Sequence, residues 1–205
     1  MGFYENRVLP HILNFAMNTK GVRAERAKCL EHTSGEVLEI GFGSGLNLPY
    51  YPSTVTKVLG VDPSKQSARL GRKRISAARF PVEVVELSAE RLPLPDAAYQ
   101  SVVSTFTLCT IPDVAAALDE VRRVLGPGGR FYFVEHGRAD DFGVRRWQDR
   151  LNSIQQSVFG GCHLNRNISG LIEQAGFRIE RLEHDYMKGS PRFAGYLHRG
   201  VAQRI

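Results

Sequence analysis

The sequence predicts an α/β fold in which helices cover both faces of a mostly parallel sheet. Five short apolar segments of strand length alternate with helical segments between residues 35 and 136, a pattern typical of parallel strands joined by helices. A glycine-rich turn follows the first of these strands at once. Two further strands close the chain without a long helix between them, which indicates an antiparallel pair at one edge of the sheet.

The first half of the chain is assigned from hydrophobic periodicity. Residues 1–30 predict an amphipathic helical segment, because apolar side chains from Val8 to Ala16 recur at helical spacing. Gly35 then breaks this pattern. The short apolar runs predict strands at 36–40, 57–61, 82–85 and 101–105, with a short helix at 46–48 and a longer one at 64–78.

Glycine and proline delimit the elements of the second half. A helix at 113–125 carries an apolar stripe and ends at Gly126-Pro127-Gly128-Gly129, a strong terminating sequence. The polar and aromatic residues 138–165 form a mostly helical insertion. The remaining elements are a strand at 130–135, a helix at 166–175, a strand at 177–184 and a last strand at about 195–203.

Length and composition favour one globular domain over residues 1–205. Hydrophobic residues make up 42% and charged residues 23%, values that exclude disordered and fibrous classes. No run of 18 apolar residues is present and the N-terminus lacks the features of a secretory signal. We therefore expect a cytoplasmic protein without a membrane-spanning helix.

The cysteine pattern predicts free thiols in a reducing compartment. Cys29, Cys109 and Cys162 are scattered, odd in number and form no Cys-x-x-Cys pair. The nearest approach to a metal cluster is the adjacent pair Cys162-His163, with His136 far away in the sequence. Adjacent residues rarely supply a closed zinc site, so no metal is expected.

The basic excess is spread over the chain. Lysine and arginine number 27 and aspartate and glutamate 21, which gives a net charge of +6. The densest basic cluster, in the predicted helix at 64–78, comprises Arg69, Arg72, Lys73, Arg74 and Arg79. No aromatic residue interleaves it, so we expect a solvated helix face and no nucleic-acid partner. Weak peripheral contact with an anionic membrane surface is kept as an alternative.

The glycine-rich turn carries the chemistry. Gly41-x-Gly43-x-Gly45 follows the first strand, and Asp62 ends the second strand 17 residues after Gly45. Glycines there let the backbone approach a ligand, and a carboxylate at the end of the second strand can accept both hydroxyls of a ribose. A nucleoside ligand is predicted. The dinucleotide fingerprint Gly-x-Gly-x-x-Gly would have its third glycine at position 46, where this chain has Leu46. An NAD(P)-dependent oxidoreductase is therefore the weaker alternative, from a different class.

Several separated motifs resemble class I S-adenosylmethionine-dependent methyltransferases of the methyltransferase type 11 domain. They are Glu39 to Gly45, Asp62, Leu92-Pro93-Leu94 and Arg122 to Gly129. The resemblance covers about residues 35–136, which it identifies as a cofactor-binding core. It implies a Rossmann-like doubly wound sheet of seven strands in the order 3-2-1-4-5-7-6 with strand 7 antiparallel. It also implies S-adenosylmethionine as cofactor, S-adenosylhomocysteine as product, and no metal.

A narrower similarity extends over most of the chain. Thr107-Leu108-Cys109, Phe131 to His136, Trp147-Gln148 and Gly161 to Arg166 resemble the branch containing animal membrane-associated alkyl-thiol methyltransferases and their bacterial relatives. The residues of this chain do not match the long hydrophobic N-terminal anchor of the animal members, so we do not expect integral membrane attachment to carry over. The similarity implies a small-molecule acceptor, most simply a thiol, with a phospholipid amine or a quinone-like lipid as the alternative. The sequence leaves the oligomeric state open.

The resemblance also implies roles at the cofactor. Gly41, Gly43 and Gly45 border the methionine part, Asp62 binds the ribose and Pro63 lines the adenine. Glu39 meets the cofactor ammonium or braces the glycine loop, and Asn47 meets the cofactor carboxylate or caps a helix. Near the adenine, Ser88-Ala89-Glu90 stands where the family often has an acid followed by alanine. Thr105 and Phe106 leave strand four where sulfonium and acceptor meet.

Methyl transfer is an in-line displacement that needs alignment rather than a nucleophilic protein residue. An acceptor can still need a base; His136, beside Glu135 at the end of strand five, is the candidate base or orienting residue. Cys162 and His163 of the insertion at 138–165 reach the same mouth. Within the helical lid at 1–30, the residues proposed to fold over the site are Tyr4 and Arg7. Trp147 is either a pocket wall or a core residue.

Overall fold

The structure is a computed structural model that describes residues 4–205. Its seven strands form one sheet in the order β3-β2-β1-β4-β5-β7-β6. The strands are β1 (Gly35–Ile40), β2 (Val55–Val61), β3 (Val82–Val85), β4 (Tyr99–Thr105), β5 (Leu125–His136), β6 (Phe177–Tyr186) and β7 (Tyr196–Arg204). The first five are parallel, whereas β7 runs antiparallel to both β5 and β6. The predicted order and the antiparallel seventh strand are confirmed.

The helices lie between the strands as the alternating pattern predicts. They are α1 (Leu9–Ala16), α2 (Lys20–Leu30), α3 (Lys65–Ser76), α4 (Val114–Val124), α5 (Phe142–Val158), α6 (Ile168–Gln174) and α7 (Arg192–Gly195). Side-chain oxygens of Thr19, Ser64, Asp113 and Asn167 accept backbone N–H groups at the starts of α2, α3, α4 and α6. Such caps satisfy donors that have no partner within the helix.

The central strands are buried on both faces. On one face, Leu38 and Val102 pack against Leu118 and Val121 of α4 and Ile172 of α6. A second cluster on the opposite face includes Leu30 of α2, Ile75 of α3, Val37, Val103 and Val134. Helices on both sides of a parallel sheet explain why the strands read as continuous apolar runs.

Three predicted boundaries differ from the structure. The short helix predicted at 46–48 is wrong: turns extend to Asn47, and a single 3₁₀ turn follows at Leu48–Tyr50, with proline near its start. β5 begins at Leu125 rather than at 130, because Leu125 already pairs with Tyr99 of β4, and a register shift separates this pair from the pair of Ser101 with Arg130. The segment at 1–30, of which residues 1–3 lie outside the described part, is a π-helical turn followed by two separate helices.

Two predictions about the surface can be compared with this fold. Within residues 4–205, no helix combines the length and the apolarity that a membrane crossing requires. Arg69, Arg72, Lys73 and Arg79 are exposed, which fits the predicted solvated helix face and leaves the alternative of contact with an anionic membrane surface a prediction. Arg74 is half-buried, and its guanidinium donates to Ser44 O at 3.0 Å, which ties α3 to the glycine-rich turn.

Candidate active site

The glycine-rich turn and Asp62 are joined at the carboxyl ends of β1 and β2. Gly41, Gly43 and Gly45 all have positive φ, between 55° and 70°, a conformation that glycine adopts at low cost. One oxygen of Asp62 accepts the N–H of Gly43 at 2.8 Å, and its other oxygen accepts the N–H of Ser64 at 2.8 Å. Burial raises the pKa of Asp62, and these two hydrogen bonds oppose that rise. The carboxylate therefore braces the loop at the place predicted for a ribose.

Glu39 lies in a fully buried network below the glycine loop. Its carboxylate accepts hydrogen bonds from Asn47 Nδ2 at 2.9 Å and from Tyr51 Oη at 2.7 Å. Burial raises the pKa of Glu39 to about 7. Glu39 thus bonds to the segment that follows the glycine loop, and both interpretations of its role, bracing of the loop and contact with the cofactor ammonium, stay predictions. The predicted helix cap by the Asn47 side chain is wrong, since that amide instead links Glu39 to the end of β4.

Arg26 of α2 is a buried cation that the sequence analysis missed. Its Nη1 donates to Asn47 Oδ1 at 2.8 Å and to Thr105 Oγ1, and the guanidinium carbon lies 5.4 Å from the centre of the Phe106 ring. Its Nε is buried and has no hydrogen-bond partner among the described residues. A buried charge with an unused donor is costly unless an anion joins it. The spacing, four residues after the buried Val22 of α2, was a signal in the sequence, but it did not show which residues Arg26 meets.

The segment predicted to lie near the adenine has a structural role of its own. Ser88 is exposed and donates to Glu90 Oε2 at 2.8 Å, while Ala89 is buried. The other oxygen of Glu90 accepts the N–H of Asp113 at 2.7 Å, at the start of α4. Pro63 is exposed. A cavity of about 230 Å³ lies beside this edge; it is lined by Asp62, Ser64, Lys65, Ala68, Arg69, Val84, Val85 and Glu86.

Two groups hold the loop that leaves β4, the half-buried Phe106 and the buried Glu135. Phe106 has φ of 56°, a strained conformation for a residue with a side chain, and its N–H donates to Val134 O at 2.8 Å. The Glu135 carboxylate accepts Ser104 Oγ at 2.7 Å and the Thr107 N–H at 2.8 Å. Burial raises the pKa of Glu135 to about 7. The position predicted for Glu135, beside the site, is therefore occupied by a carboxylate that anchors this loop.

His136 and Cys162 meet beside this loop, together with a third residue. His136 Nε2 lies 2.8 Å from Cys162 Sγ, and Cys162 Sγ lies 3.5 Å from Cys109 Sγ. All three residues are buried, and burial lowers the pKa of His136 to about 4. Cys109, which was predicted only to be a free thiol, joins the pair. The ring of His163 is half-buried, and the residue joins the loop after β4 through its N–H to Cys109 O at 2.9 Å.

The N-terminal residues connect the glycine loop with the insertion. Tyr4 Oη donates to Val158 O at the end of α5, at 2.7 Å. Ser44 Oγ of the glycine loop donates to Asn14 Oδ1 of α1, also at 2.7 Å. Arg7 is exposed. α1 therefore lies between the two parts of the chain that were predicted to face the cofactor and the acceptor.

Trp147 lies outside this arrangement. Its side chain is 56% exposed, so the interpretation as a core residue is wrong. It lines a hollow of about 330 Å³ together with Asp141, Gly143, Val144, Arg192 and Phe193. None of the residues predicted to bind the cofactor lines this hollow.

Comparison with known proteins identifies the fold and the family of the core. Residues 38–133 match the family model described as a methyltransferase domain. A methyltransferase from Leishmania major, described as S-adenosylmethionine-dependent, has the same fold, with a TM-score of 0.72 and 15% identity over 98% of this chain and 80% of its own. The family and the fold are those of enzymes that use S-adenosylmethionine, and neither indicates a need for a metal.

Curated relatives that are named for different methyl acceptors are similar to this chain in sequence. The human thiol S-methyltransferase TMT1A is 34% identical over 152 residues, which are 72% of this chain and 62% of the relative. A phosphatidylethanolamine N-methyltransferase from Cereibacter sphaeroides is 30% identical over 129 residues, 62% of this chain and 63% of the relative. The chain thus spans less than two thirds of the length of either relative.

Proposed function

The chain carries a domain of the S-adenosylmethionine-dependent methyltransferase family, and from this premise we propose that it methylates a small thiol. S-adenosylmethionine, when bound, supplies an electrophilic methyl group on a sulfonium. The residues of this chain then have to bind the cofactor, orient the acceptor and exclude water. The homology with thiol S-methyltransferases, at 34% identity for the human relative, supports the thiol.

The arrangement of the loops fits the cofactor. Three glycines of positive φ in the turn after β1 present backbone that carries no side chain, and the proposed ribose ligand Asp62 lies beside the turn with a partly buried carboxylate. Arg26 offers a buried guanidinium with an unpartnered Nε next to Asn47 and Thr105. We assign Arg26 to the carboxylate of the methionine part, because that anion would satisfy the unused donor.

The observation that carries the thiol acceptor is the cluster of sulfur and imidazole atoms beside Phe106. His136 Nε2 already lies 2.8 Å from a thiol sulfur, that of Cys162. The predicted acceptor site lies at the carboxyl ends of β4 and β5, and His136 ends β5. The cluster is covered by the loop that follows α5, since the His163 N–H donates to Cys109 O at 2.9 Å. In this proposal His136 is the residue that positions the acceptor sulfur, while Glu135 keeps the loop after β4 in place.

A panel of acceptors tests this proposal. Purified protein and radiolabelled S-adenosylmethionine are incubated with alkanethiols, phosphatidylethanolamine vesicles and a reduced quinone, and transferred label is counted. We expect label on the thiols, loss of transfer in Asp62→Asn, and wild-type transfer in the matched exposed variant Asp119→Asn. Label on the lipids alone, or equal transfer by both aspartate variants, would contradict the proposal.

A lipid acceptor is the second candidate, and an exposed apolar surface favours it. Phe15 and Ile12 of α1 are 82% and 40% exposed, and Ile154 and Val158 of α5 are 62% and 44% exposed. The end of α5 lies near the start of α1, since a Cβ on Gly160, which follows α5, would lie 2.7 Å from Leu9 Cδ2. This surface would lie on a bilayer if the acceptor were a lipid. Salt-sensitive binding to anionic vesicles that weakens in Phe15→Ser would support it.

A further inference from the structure

Three buried ligand-type side chains converge in this fold although the sequence separates them widely. The Sγ atoms of Cys109 and Cys162 and a ring nitrogen of His136 all lie within 4.8 Å of one another. The two sulfurs are 3.5 Å apart, and His136 Nε2 is 2.8 Å from Cys162 Sγ. No metal was expected because His136 is far from Cys162 in the sequence. The fold brings these residues together.

The donor set suits zinc. Zn–S bonds of about 2.3 Å and Zn–N bonds of about 2.0 Å place two sulfur ligands of a tetrahedral ion about 3.8 Å apart and a sulfur and a nitrogen about 3.6 Å apart. The two sulfurs are already at nearly that separation. The His136 ring has to withdraw from Cys162 by less than 1 Å, roughly what a small side-chain rotation achieves. Two cysteines and one histidine are also the protein ligands of a zinc site that keeps its fourth position open.

Each ligand is held by contacts of its own. His136 ends β5 and pairs with Leu197 of β7. The loop that carries Cys109 receives hydrogen bonds from Arg166, whose Nη1 donates to Leu108 O and to Ile111 O. Beside Cys162, Gln155 Nε2 lies 3.7 Å from the sulfur. Such outer contacts fix the direction of metal ligands and tune their affinity.

The charges around the cluster balance a divalent ion. Two thiolates neutralise Zn²⁺, and the imidazole ligand carries no charge. Two further charged groups contact the loop after β4. Arg166 donates to its carbonyls, and Glu135 accepts the Thr107 N–H. One cation and one anion therefore face a neutral zinc–thiolate centre, an arrangement that a buried site tolerates.

We propose that Cys109, His136 and Cys162 form a zinc site whose fourth position takes the sulfur of a thiol. The metal joins the loop after β4, the end of β5 and the loop after α5. A thiol that binds zinc does so as a thiolate: its S–H bond breaks, its proton passes to water, and the sulfur donates a lone pair to the metal. No oxidation state changes. The metal site stands independently, whereas the thiol as fourth ligand rests on the proposed function.

Cobalt(II) is the probe for the metal site. Metal-free, fully reduced protein is titrated with Co²⁺, and the visible bands of tetrahedral cobalt and the near-ultraviolet sulfur-to-cobalt band are recorded. We expect saturation at one ion per chain and displacement by Zn²⁺. This test uses the wild-type protein and needs no variant. If the folded protein shows none of these bands, the proposal is overturned.

Matched variants locate the site. Cys162→Ser and Cys109→Ser should each lower the metal affinity more than tenfold, since even the loss of an outer contact costs about 10-fold to 100-fold. Cys29→Ser, which changes the other buried cysteine, and His163→Ala, next to Cys162, should leave it unchanged. Equal affinity in Cys162→Ser and wild type would overturn the assignment.

A last comparison separates this inference from the proposed function. Addition of an alkanethiol to the cobalt protein should intensify the sulfur-to-cobalt band, and an unchanged band would overturn the thiol as fourth ligand. Binding of S-adenosylmethionine is measured on the same samples by calorimetry and should be the same with and without metal. If metal binds but no thiol is methylated, the proposed function fails and the zinc site stands. If thiols are methylated and cobalt does not bind, the reverse holds.

Discussion

Arg26 offers the sharpest test of the cofactor site. The perturbation is Arg26→Met, which keeps an unbranched side chain of similar length and removes the charge and all donors. In the structure this guanidinium is buried, donates to Asn47 and Thr105, and leaves Nε without a partner among residues 4–205. If the unused donor meets the carboxylate of the cofactor, the variant should lose affinity only for ligands that carry this carboxylate.

The magnitude follows from the kind of hydrogen bond. A hydrogen bond between charged groups contributes about 1.5–3 kcal/mol, and 1.4 kcal/mol corresponds to about tenfold in affinity. Arg26→Met should therefore weaken S-adenosylmethionine binding by roughly 10-fold to 100-fold. Decarboxylated S-adenosylmethionine, which lacks the anion, should bind the variant and the wild type within about threefold, on the order of 0.7 kcal/mol.

Calorimetric titration of both ligands into both proteins completes the cycle. The control is Arg23→Met, an exposed arginine of the same helix, which should bind both ligands as the wild type does. A purely structural role of Arg26 would weaken both ligands equally. Equal losses for the two ligands would therefore refute the assignment, even if the variant is folded and less stable.

Three further predictions concern the loops around the site. Burial raises the pKa of Glu39 from 4.5 to about 7, so the free energy of unfolding should fall as pH rises through this range. Urea titrations at pH 5 and pH 8 measure this fall, and Glu39→Gln should make it smaller by about 2.5 kcal/mol. Gly41→Ala should lower the melting temperature, because a Cβ there would lie 2.1 Å from Thr107 Oγ1; Gly128→Ala, also at positive φ but with no atom within 4 Å, should cost only about 1–2 kcal/mol. Tyr51→Phe removes the hydrogen bond to Glu39. It should lower the free energy of unfolding in denaturant by about 1–3 kcal/mol and leave the choice of methyl acceptor unchanged.

The fold was predictable because its determinants are local or repetitive. Alternating apolar runs and helical stripes define the parallel strands, and the glycine turn with Asp62 lies where the order of strands reverses. The strand order itself came from the family resemblance. Predicted boundaries were wrong where pairing between strands overrides a local sequence signal. At Leu125, for example, the pairing with β4 starts before the glycines end.

The candidate site was predictable only in part. His136 and Cys162 were expected to reach the same mouth, and they are in contact. Arg26 and Cys109 were missed because their importance depends on burial and on neighbours 79 and 53 residues away in the chain. Trp147 shows the opposite error for one of its two interpretations: the side chain is not in the core but 56% exposed on α5, where it lines a surface hollow.

The most direct test of the central claim is product analysis with an alkanethiol. The protein is incubated with S-adenosylmethionine and the thiol under reducing conditions, and the methyl thioether and S-adenosylhomocysteine are quantified by mass spectrometry. The proposed function predicts that the two products form in equal amounts over many turnovers. Calorimetric binding of S-adenosylmethionine without any methyl thioether, from this thiol or from longer ones, would contradict it.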